Sequence, residues 1–332
     1  MQIKQAILPS EKKAVEDFLS SFNLKYLKSA DYTAYAEENG KIIGTVSLAK
    51  NVISDLAVSQ EYQGENLSTT LISHAIGKLR EEKIFAYKVF TKPEHLDKFK
   101  SLGFTLLLQT EDFIALEGGE SNIHQTLSNL KAKIKMDLGS FDDDYGAIVM
   151  NANPFTLGHL SLVEHALTKH AKVLLFVLEE DASDFSFKER FSLAFLATRQ
   201  YRDRVCVLPS TDYVVSKSTF PDYFIHGIDR STKAYAQYDA GIFEKYFMRE
   251  LNIACRYLGE EEKDYMLLYN DSLKKVLQDR AEIVPRYKMA GQTVSASTVR
   301  EYLKKGDIAS ALNFIPTPCK AVFNMIAGGK QW

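Results

Sequence analysis

A short segment with a histidine at its end carries the residues best suited to chemistry in this chain of 332 residues. It reads NANPFTLGH, residues 151–159, and it lies between the apolar run 146–150 and an amphipathic stretch. This order predicts a buried strand, a tight turn and the first turn of a helix. Free N–H groups and the helix dipole favour phosphate there, and His159 can donate a hydrogen bond to a phosphate oxygen. The alternative is a histidine that only caps the helix.

A second segment, TVSASTVREYL at residues 293–303, has the same kind of chemistry. Ser295 or Ser297 can cap a helix, and Arg300 then lies on a reachable face of its first turns. Two hydroxyls, free N–H groups and a guanidinium together predict a phosphate clamp. Alone, the segment is also compatible with a plain helix cap followed by a surface arginine.

Together the two segments resemble the nucleotidyltransferase superfamily, whose signatures are (H/T)xGH and ISxSxxR. Here they read TLGH at 156–159 and VSASTVR at 294–300. Further segments resemble one family within it, the [citrate (pro-3S)-lyase] ligases: MNANPFTLGHLSLVEHAL, FVLEEDASDFSFKERFSL, FPDYFI, RYLGEEE and YNDSLKKVL. The resemblance is strong over 146–312. This chain has GEEE at 259–262 where the family is expected to read GTEP, which affects the pocket near Glu260.

The resemblance implies an AMP-forming acid–thiol ligase. Acetate attacks the α-phosphate of ATP, and acetyl-AMP and diphosphate form. The thiol of a phosphoribosyl-dephospho-CoA group on the acyl carrier subunit of citrate lyase then displaces AMP, which activates the lyase. Mg²⁺ is expected on the ATP phosphates, without protein ligands, since this ion needs few.

The resemblance also implies the site residues. Those expected to be catalytic are His159, Thr156 and Arg300. Those expected to bind ATP or its phosphates are Asn153, Phe155, Gly158, Arg190, Gly259, Glu260, Ser295 and Ser297. Gly158 is expected to let the backbone pass close to the ligand. Arg190 opens the helix after the second strand, where a solvated helical arginine is an equal alternative.

The second half of the chain alternates strands with helices of 10 to 15 residues. Strands are predicted at 146–150, 173–178, 205–208, 256–258 and 282–284, and helices at 159–169, 187–200, 238–251, 269–279 and 296–304. This α/β order predicts a doubly wound, Rossmann-like parallel sheet. Ligands bind at the carboxyl ends of such strands, where both phosphate segments fall.

The first 116 residues resemble the acyl-CoA N-acetyltransferase (GNAT) fold. We predict a hairpin over 32–48, strands at 51–58, 84–90 and 105–108, and helices at 67–80 and 94–100. The family's pyrophosphate turn, (Q/R)xxGx(G/A), corresponds here to EYQGEN, in which only Gly64 fits. A docking scaffold, or binding of a CoA-like arm at Gly64, is therefore favoured over acetyl transfer.

The expected domains are 1–118 (GNAT-like), a linker helix at 119–143 and the ligase domain at 144–332, with EGGES at 117–121 as a flexible break. A net charge of −2 predicts no nucleic-acid partner. The three scattered cysteines show no metal-ligand spacing. Without an apolar run of about 20 residues, no membrane span is expected, and we expect a cytoplasmic protein.

Three other functions remain open. The chain could transfer AMP to a pantetheine-phosphate or nicotinamide nucleotide, although such enzymes are usually shorter and lack a GNAT-like domain. It could be a ligase for another acyl-carrier enzyme, such as malonate decarboxylase. It could also be a regulator with a relic nucleotide site. The intact His159 and Arg300 argue against the last.

Overall fold

The fold is that of a computed structural model of the chain. The residues it describes are 1–64, 66–141, 144–179, 183–214, 220–261 and 264–332.

The chain forms two compact units, each built from two stretches. The first unit comprises Met1–Asn122 and Pro221–Ala234, and the second comprises Ile123–Phe220 and Tyr235–Trp332. The predicted domain ranges do not include this excursion of residues 221–234. It is held to the first unit by buried contacts, among them the Tyr223 hydroxyl, which donates to the Phe90 carbonyl at 2.8 Å.

The first unit is built on a seven-stranded sheet in the order β1-β2-β3-β4-β5-β7-β6. The strands are β1 Gln2–Gln5, β2 Tyr32–Glu38, β3 Lys41–Ala49, β4 Val52–Val58, β5 Ala86–Thr91, β6 Thr105–Gln109 and β7 Ile114–Gly119. The helices are α1 Pro9–Ser21, α2 Leu67–Glu81 and α3 Leu96–Ser101. Among the described pairs of neighbours in this sheet, β4 and β5 are parallel and the others are antiparallel. β4 and β5 pair at two positions, Val52 with Lys88 and Ile53 with Val89. This mixed sheet is the GNAT-like architecture expected from the sequence.

The predicted hairpin is present, with Asn39 and Gly40 at φ 52° and 74° in a two-residue turn. The segment 117–121 is not a break along its whole length, because β7 continues to Gly119. Gly119 pairs with Ala86 in β5. Its φ is +106°, and a Cβ there would lie 2.0 Å from the Phe85 carbonyl oxygen. The glycine allows close strand approach, which composition alone does not distinguish from flexibility.

The second unit contains a five-stranded parallel sheet in the order β10-β9-β8-β11-β12. These strands are β8 Tyr145–Met150, β9 Val173–Val177, β10 Val205–Pro209, β11 Ile253–Gly259 and β12 Ala281–Val284, and a small hairpin follows, β13 Lys288–Met289 and β14 Gln292–Thr293. The strand order reverses between β8 and β11, and ligands bind such sheets in the crevice at that point. The doubly wound prediction is confirmed.

Helices follow the strands along the chain. They are α4 Ile123–Leu138, α5 Leu157–Lys169, α6 Phe187–Ala197, α7 Ile228–Ile242 continued by a π-helical segment Phe243–Met248, α8 Asp264–Leu277, α9 Ala296–Lys304, α10 Ile308–Ala311 and α11 Lys320–Gly328. Helix α7 begins at residue 228, ten residues before the predicted start at 238. The prediction used the spacing of apolar residues, and the polar run 229–233 carries no such signal. In the described part of the chain, no helix has the length and apolar character that crossing a bilayer requires.

Candidate active site

A cleft of about 660 Å³ lies at the carboxyl ends of β8 and β11. It is lined by residues from both phosphate segments and from the end of β11. Of the residues expected from the sequence, the lining includes Asn153, Thr156, Gly158, His159, Gly259, Glu260, Ser295, Ser297 and Arg300. The fold thus brings together two segments more than 130 positions apart in the chain.

His159 is held by the residue that caps α5. The backbone N–H of Thr156 donates to His159 Nδ1 at 3.0 Å, and Thr156 Oγ1 lies 2.9 Å from the same nitrogen. Because Nδ1 accepts a hydrogen bond from an N–H group, the neutral ring carries its proton on Nε2. Loss of solvent around the imidazole lowers the pKa of His159 to about 4. At neutral pH the ring is therefore uncharged, and its Nε2–H can donate to a ligand.

Phe155 supports this imidazole and does not line the cleft. Its side chain is fully buried, and its ring centroid lies 5.4 Å from that of His159. We therefore replace the expected nucleotide contact of Phe155 by a packing role, which fixes the plane of the histidine ring.

At Gly158 the backbones of the two phosphate segments approach each other closely. A Cβ built on Gly158 would lie 2.8 Å from the carbonyl oxygen of Val294, the residue just before the cap of α9. The sequence suggested that this glycine leaves room for a ligand. The structure shows that it leaves room for the backbone of the second segment.

Arg300 connects the second phosphate segment to the first by a hydrogen bond. Its Nη1 donates to the backbone carbonyl of Asn153, and its Nη2 donates to Ser297 Oγ at 3.3 Å. Its Nε lies 3.2 Å from a carboxylate oxygen of Asp184. Ser295 caps α9 by accepting the Thr298 N–H at 3.1 Å. The guanidinium is thus fixed at the cleft by three separate partners.

Asn153 shapes the turn through its side chain as well. Its Oδ1 accepts the Phe185 N–H at 3.0 Å, and its Nδ2 donates to Asp184 at 3.3 Å. The amide is therefore already engaged by the loop after β9, and the residue positions the turn that precedes His159.

Arg190 does not reach the cleft, so its expected ATP contact is corrected. Its side chain is fully buried in the helix that begins at Phe187. The guanidinium donates to the backbone carbonyls of Phe185, Asn151 and Leu178 at 2.7–3.0 Å. These hydrogen bonds fix the chain just after β8 and β9. Arg190 therefore stabilises the turn that follows β8, although it does not line the cleft itself.

The end of β11 carries a small charged cluster. The Glu260 N–H donates to the Val284 carbonyl at 2.8 Å, and the Glu260 carbonyl accepts from Arg286 Nε at 2.8 Å. Arg286 also pairs with Glu261, at 2.6 Å between Nη2 and Oε2. Arg286 lines the cleft and was missed from the sequence. A basic residue just after the last predicted strand was the available signal.

A buried arginine was also missed. Arg256 lies within β11, its side chain is 2% exposed, and its Nη2 donates to Asp239 Oδ2 at 2.8 Å. The Tyr269 hydroxyl donates to the same oxygen, and all three residues line the cleft. The signal was a charged residue inside a predicted buried strand.

Two further predictions concern metal binding and Gly64. Within the described ranges, no three His, Cys, Asp or Glu residues come together as a metal site. Gly64 has φ +99° and lines a separate cleft of about 430 Å³ in the first unit. Lys92, Lys98 and Tyr223 line that cleft as well.

The fold and the cleft define an α/β protein with a doubly wound parallel sheet and a TLGH turn that lines a cleft at the carboxyl ends of its strands. The sequence model described as the citrate lyase ligase C-terminal domain matches residues 145–323, and that of an acetyltransferase (GNAT) domain matches residues 7–113. The chain belongs to the citrate lyase ligase family.

Three curated relatives, each named [citrate [pro-3S]-lyase] ligase, are similar over nearly the whole chain. The one from Haemophilus influenzae is 30% identical and the match covers 91% of this chain and 92% of the relative. The one from Klebsiella pneumoniae is 30% identical, with 92% and 90% covered. The one from Escherichia coli K12 is 27% identical, with 91% and 87% covered. A solved GNAT-family acetyltransferase from Staphylococcus aureus Mu50 matches 36% of this chain and 99% of its own at 17% identity, with a TM-score of 0.31.

Proposed function

We propose that this protein uses ATP to acetylate the thiol of a CoA-like prosthetic group on the acyl carrier subunit of citrate lyase, and so activates the lyase. The observation that carries the proposal is the cleft in which the TLGH turn and the VSASTVR helix start meet. Family membership gives the ligase class, and the relatives' names support citrate lyase as the partner.

The proposed reaction has two steps. An acetate oxygen attacks the α-phosphorus of ATP, the bond to the β-phosphate oxygen breaks, and diphosphate leaves. The product, acetyl-AMP, is a mixed anhydride with a reactive carbonyl carbon. The sulfur of the prosthetic thiol, having lost its proton to solvent, then attacks that carbon. The carbonyl–O bond breaks, the thioester forms, and AMP leaves with the former acetate oxygen.

The chain's part in this chemistry is positioning and charge stabilisation. His159 Nε2–H and the free N–H groups that begin α5 would bind the phosphate on which charge develops. Arg300 and Ser297, with the free N–H groups that begin α9, would bind the leaving diphosphate. The expected Mg²⁺ would be held through the ATP phosphates, whose negative charge it would reduce.

Exchange of labelled diphosphate into ATP tests the first step. We expect exchange with the purified protein only when acetate is present. Exchange that needs a pantetheine-phosphate or nicotinamide nucleotide instead would establish the alternative adenylyltransferase function. Comparing the thiol-form carriers of citrate lyase and malonate decarboxylase as acetyl acceptors then identifies the partner.

We further propose that the first unit receives the CoA-like arm. Support comes from its cleft of about 430 Å³, which lies where the β4–β5 ladder ends and is lined by Gly64, Lys92 and Lys98. Two lysines complement the phosphates of such an arm. A docking scaffold without an arm site is the alternative.

Charge reversal in that cleft separates these two roles. We expect Lys92→Glu with Lys98→Glu to raise the KM for the carrier about tenfold, a loss of about 1.4 kcal/mol, and to leave acetate-dependent exchange unchanged. The exposed Lys12→Glu is the control. An unchanged KM would favour the scaffold. Deleting the first unit is a poorer test, because residues 221–234 pack with it.

Gly158→Ala should impair catalysis without unfolding the protein. The added methyl would lie 2.8 Å from the Val294 carbonyl oxygen, so the start of α5 or the residue before α9 must shift. Displacement of reacting groups by about 1 Å costs on the order of 10²-fold in rate. Exchange assays and thermal melts measure the two effects. Gly77→Ala, in open space on α2, is the control that should leave exchange unaltered. Wild-type exchange in Gly158→Ala would refute the tight apposition of the two segments.

A further inference from the structure

The cleft contains a buried arginine that the proposed phosphate contacts leave unused. Arg256 lines the same cleft as His159 and Arg300. Its Nε and Nη1 atoms are buried and have no hydrogen-bond partner among the residues that the structure describes. Buried donors on a charged group are costly when no acceptor meets them. Such a position is suited to an anionic ligand that enters the cleft.

The rest of the guanidinium is fixed by neighbouring side chains. Nη2 is occupied by Asp239, and the same carboxylate oxygen accepts the Tyr269 hydroxyl. The aromatic ring of Phe243 lies 4.5 Å from the guanidinium carbon, a cation–π distance. These contacts fix the orientation of the Arg256 guanidinium. Its Nε and Nη1 donors therefore point in fixed directions before any ligand binds.

The position and charge of Arg256 favour a small monoanion over the triphosphate. Its Cα lies three residues before the end of β11, about 10 Å below the carboxyl edge at which the phosphate segments begin. Asp239 offsets its charge, so the site offers donors with little net positive charge. The donors proposed for the triphosphate are Arg300 and the N–H groups that begin α5 and α9, which belong to other segments of the cleft lining.

Apolar side chains in the lining of the same cleft fit a short alkyl group. Leu258 is two residues further along β11 and so projects from the same face of the sheet as Arg256. Leu258, Val214 and Met266 all line the cleft. A carboxylate with a short apolar tail matches a cleft that offers both unpaired donors and apolar side chains.

We propose that Arg256 binds the carboxylate of the acid that attacks ATP, and that Leu258 limits the length of its alkyl chain. This assignment rests on the proposed function and adds to it the residues that select the acid. Arg256 acts on substrate directly, whereas Asp239 and Tyr269 position the guanidinium.

Arg256→Lys tests the assignment, since lysine keeps the charge and lacks the Nε and Nη1 donors. In ATP–diphosphate exchange we expect the KM for acetate to rise at least about tenfold and the KM for ATP to stay within about twofold. Arg204→Lys is the control for the same change of side chain, because Arg204 donates to the backbone carbonyls of Ala171, Leu167 and His170 and does not line the cleft. It should lower the melting temperature and leave the ratio of the two KM values unaltered. A rise in the KM for ATP alone would make Arg256 a phosphate ligand and overturn the proposal.

Two further measurements cover misfolding and failure of the proposed function. If Arg256→Lys does not fold, Leu258→Ala is informative, because it widens the cleft at a side chain on the same face of β11 as Arg256. Its kcat/KM ratio of propionate to acetate should rise about tenfold, and an unchanged ratio would overturn the proposal. Saturation-transfer NMR of acetate reports binding without turnover. Binding to the wild type that Arg256→Lys abolishes supports the acid site even if exchange is absent, which would refute only the proposed function. Equal binding by both would overturn the acid site.

Discussion

His159→Asn is expected to slow acetate-dependent ATP–diphosphate exchange by about 10²–10³-fold, with the KM for ATP little changed. Asparagine can still accept the Thr156 N–H through its amide oxygen, as Nδ1 does at 3.0 Å. It has no group at the position of Nε2, so the donor to the phosphate is lost. The cap of α5 should survive, and the melting temperature with it.

A matched control separates this donor from a general histidine effect. His124→Asn removes an exposed imidazole that pairs with Glu250, and it should exchange at the wild-type rate. If His159→Asn exchanged within about threefold of the wild type, His159 would be a capping residue only, as the simpler interpretation of the sequence holds.

The pKa of the same imidazole provides a second readout. Its folded value of about 4 lies below the unfolded value of about 6.5. The unfolded chain therefore binds the proton first as pH falls, and the stability that the neutral ring contributes is complete above about pH 6.5 and lost towards pH 4. NMR titration should show a neutral ring protonated on Nε2 at pH 7. Adding ATP should raise the pKa, because phosphates favour the imidazolium. An unliganded pKa near 6.5 would contradict the desolvated setting.

Arg300→Lys is expected to reduce exchange by about 10²-fold and to lower the melting temperature. Arg300 binds the Asn153 carbonyl, Ser297 Oγ and the Asp184 carboxylate through three different nitrogens. One ammonium cannot meet all three in these directions, so the two segments lose a link and the diphosphate loses a forked donor. Exchange rates and thermal melts give the two effects.

Arg280→Lys is the control for the same change of side chain. Arg280 is a partly exposed arginine whose ion pair is with Glu244, away from the cleft lining. It should leave exchange unchanged and shift stability little. Wild-type exchange in Arg300→Lys would show that charge alone suffices at that position, and that the link between the segments is dispensable.

The two phosphate segments were accessible from the sequence because their structure is local. An apolar run, a turn with proline and glycine, and serine or threonine before a periodic stretch fix a strand and a helix cap within a few residues. The caps at Thr156 and Ser295 follow from such patterns, and the alternation of strands and helices predicts the parallel sheet that carries them. The strand order then places both helix starts at one crevice.

The remaining features depend on contacts that no local pattern encodes. Arg190 lies in a polar helix start, yet it is fully buried because distant carbonyls accept its donors. Arg256, Asp239 and Tyr269 come from three elements and meet only in the folded chain. The packing of residues 221–234 with the first unit also depends on tertiary contacts. In each case a charged or mixed segment is placed by partners far away in the sequence.

In the proposed reaction, acetate attacks the α-phosphate of ATP in this cleft. A single turnover with ¹⁸O-labelled acetate, ATP and thiol-form carrier tests it most directly, because the attacking oxygen remains on the phosphorus. We predict one ¹⁸O atom in the phosphate of AMP, none in diphosphate, and an appearance of this label that is about 10²–10³-fold slower in His159→Asn. Label in inorganic phosphate, or unlabelled AMP formed together with the thioester, would contradict acetyl-AMP as the intermediate.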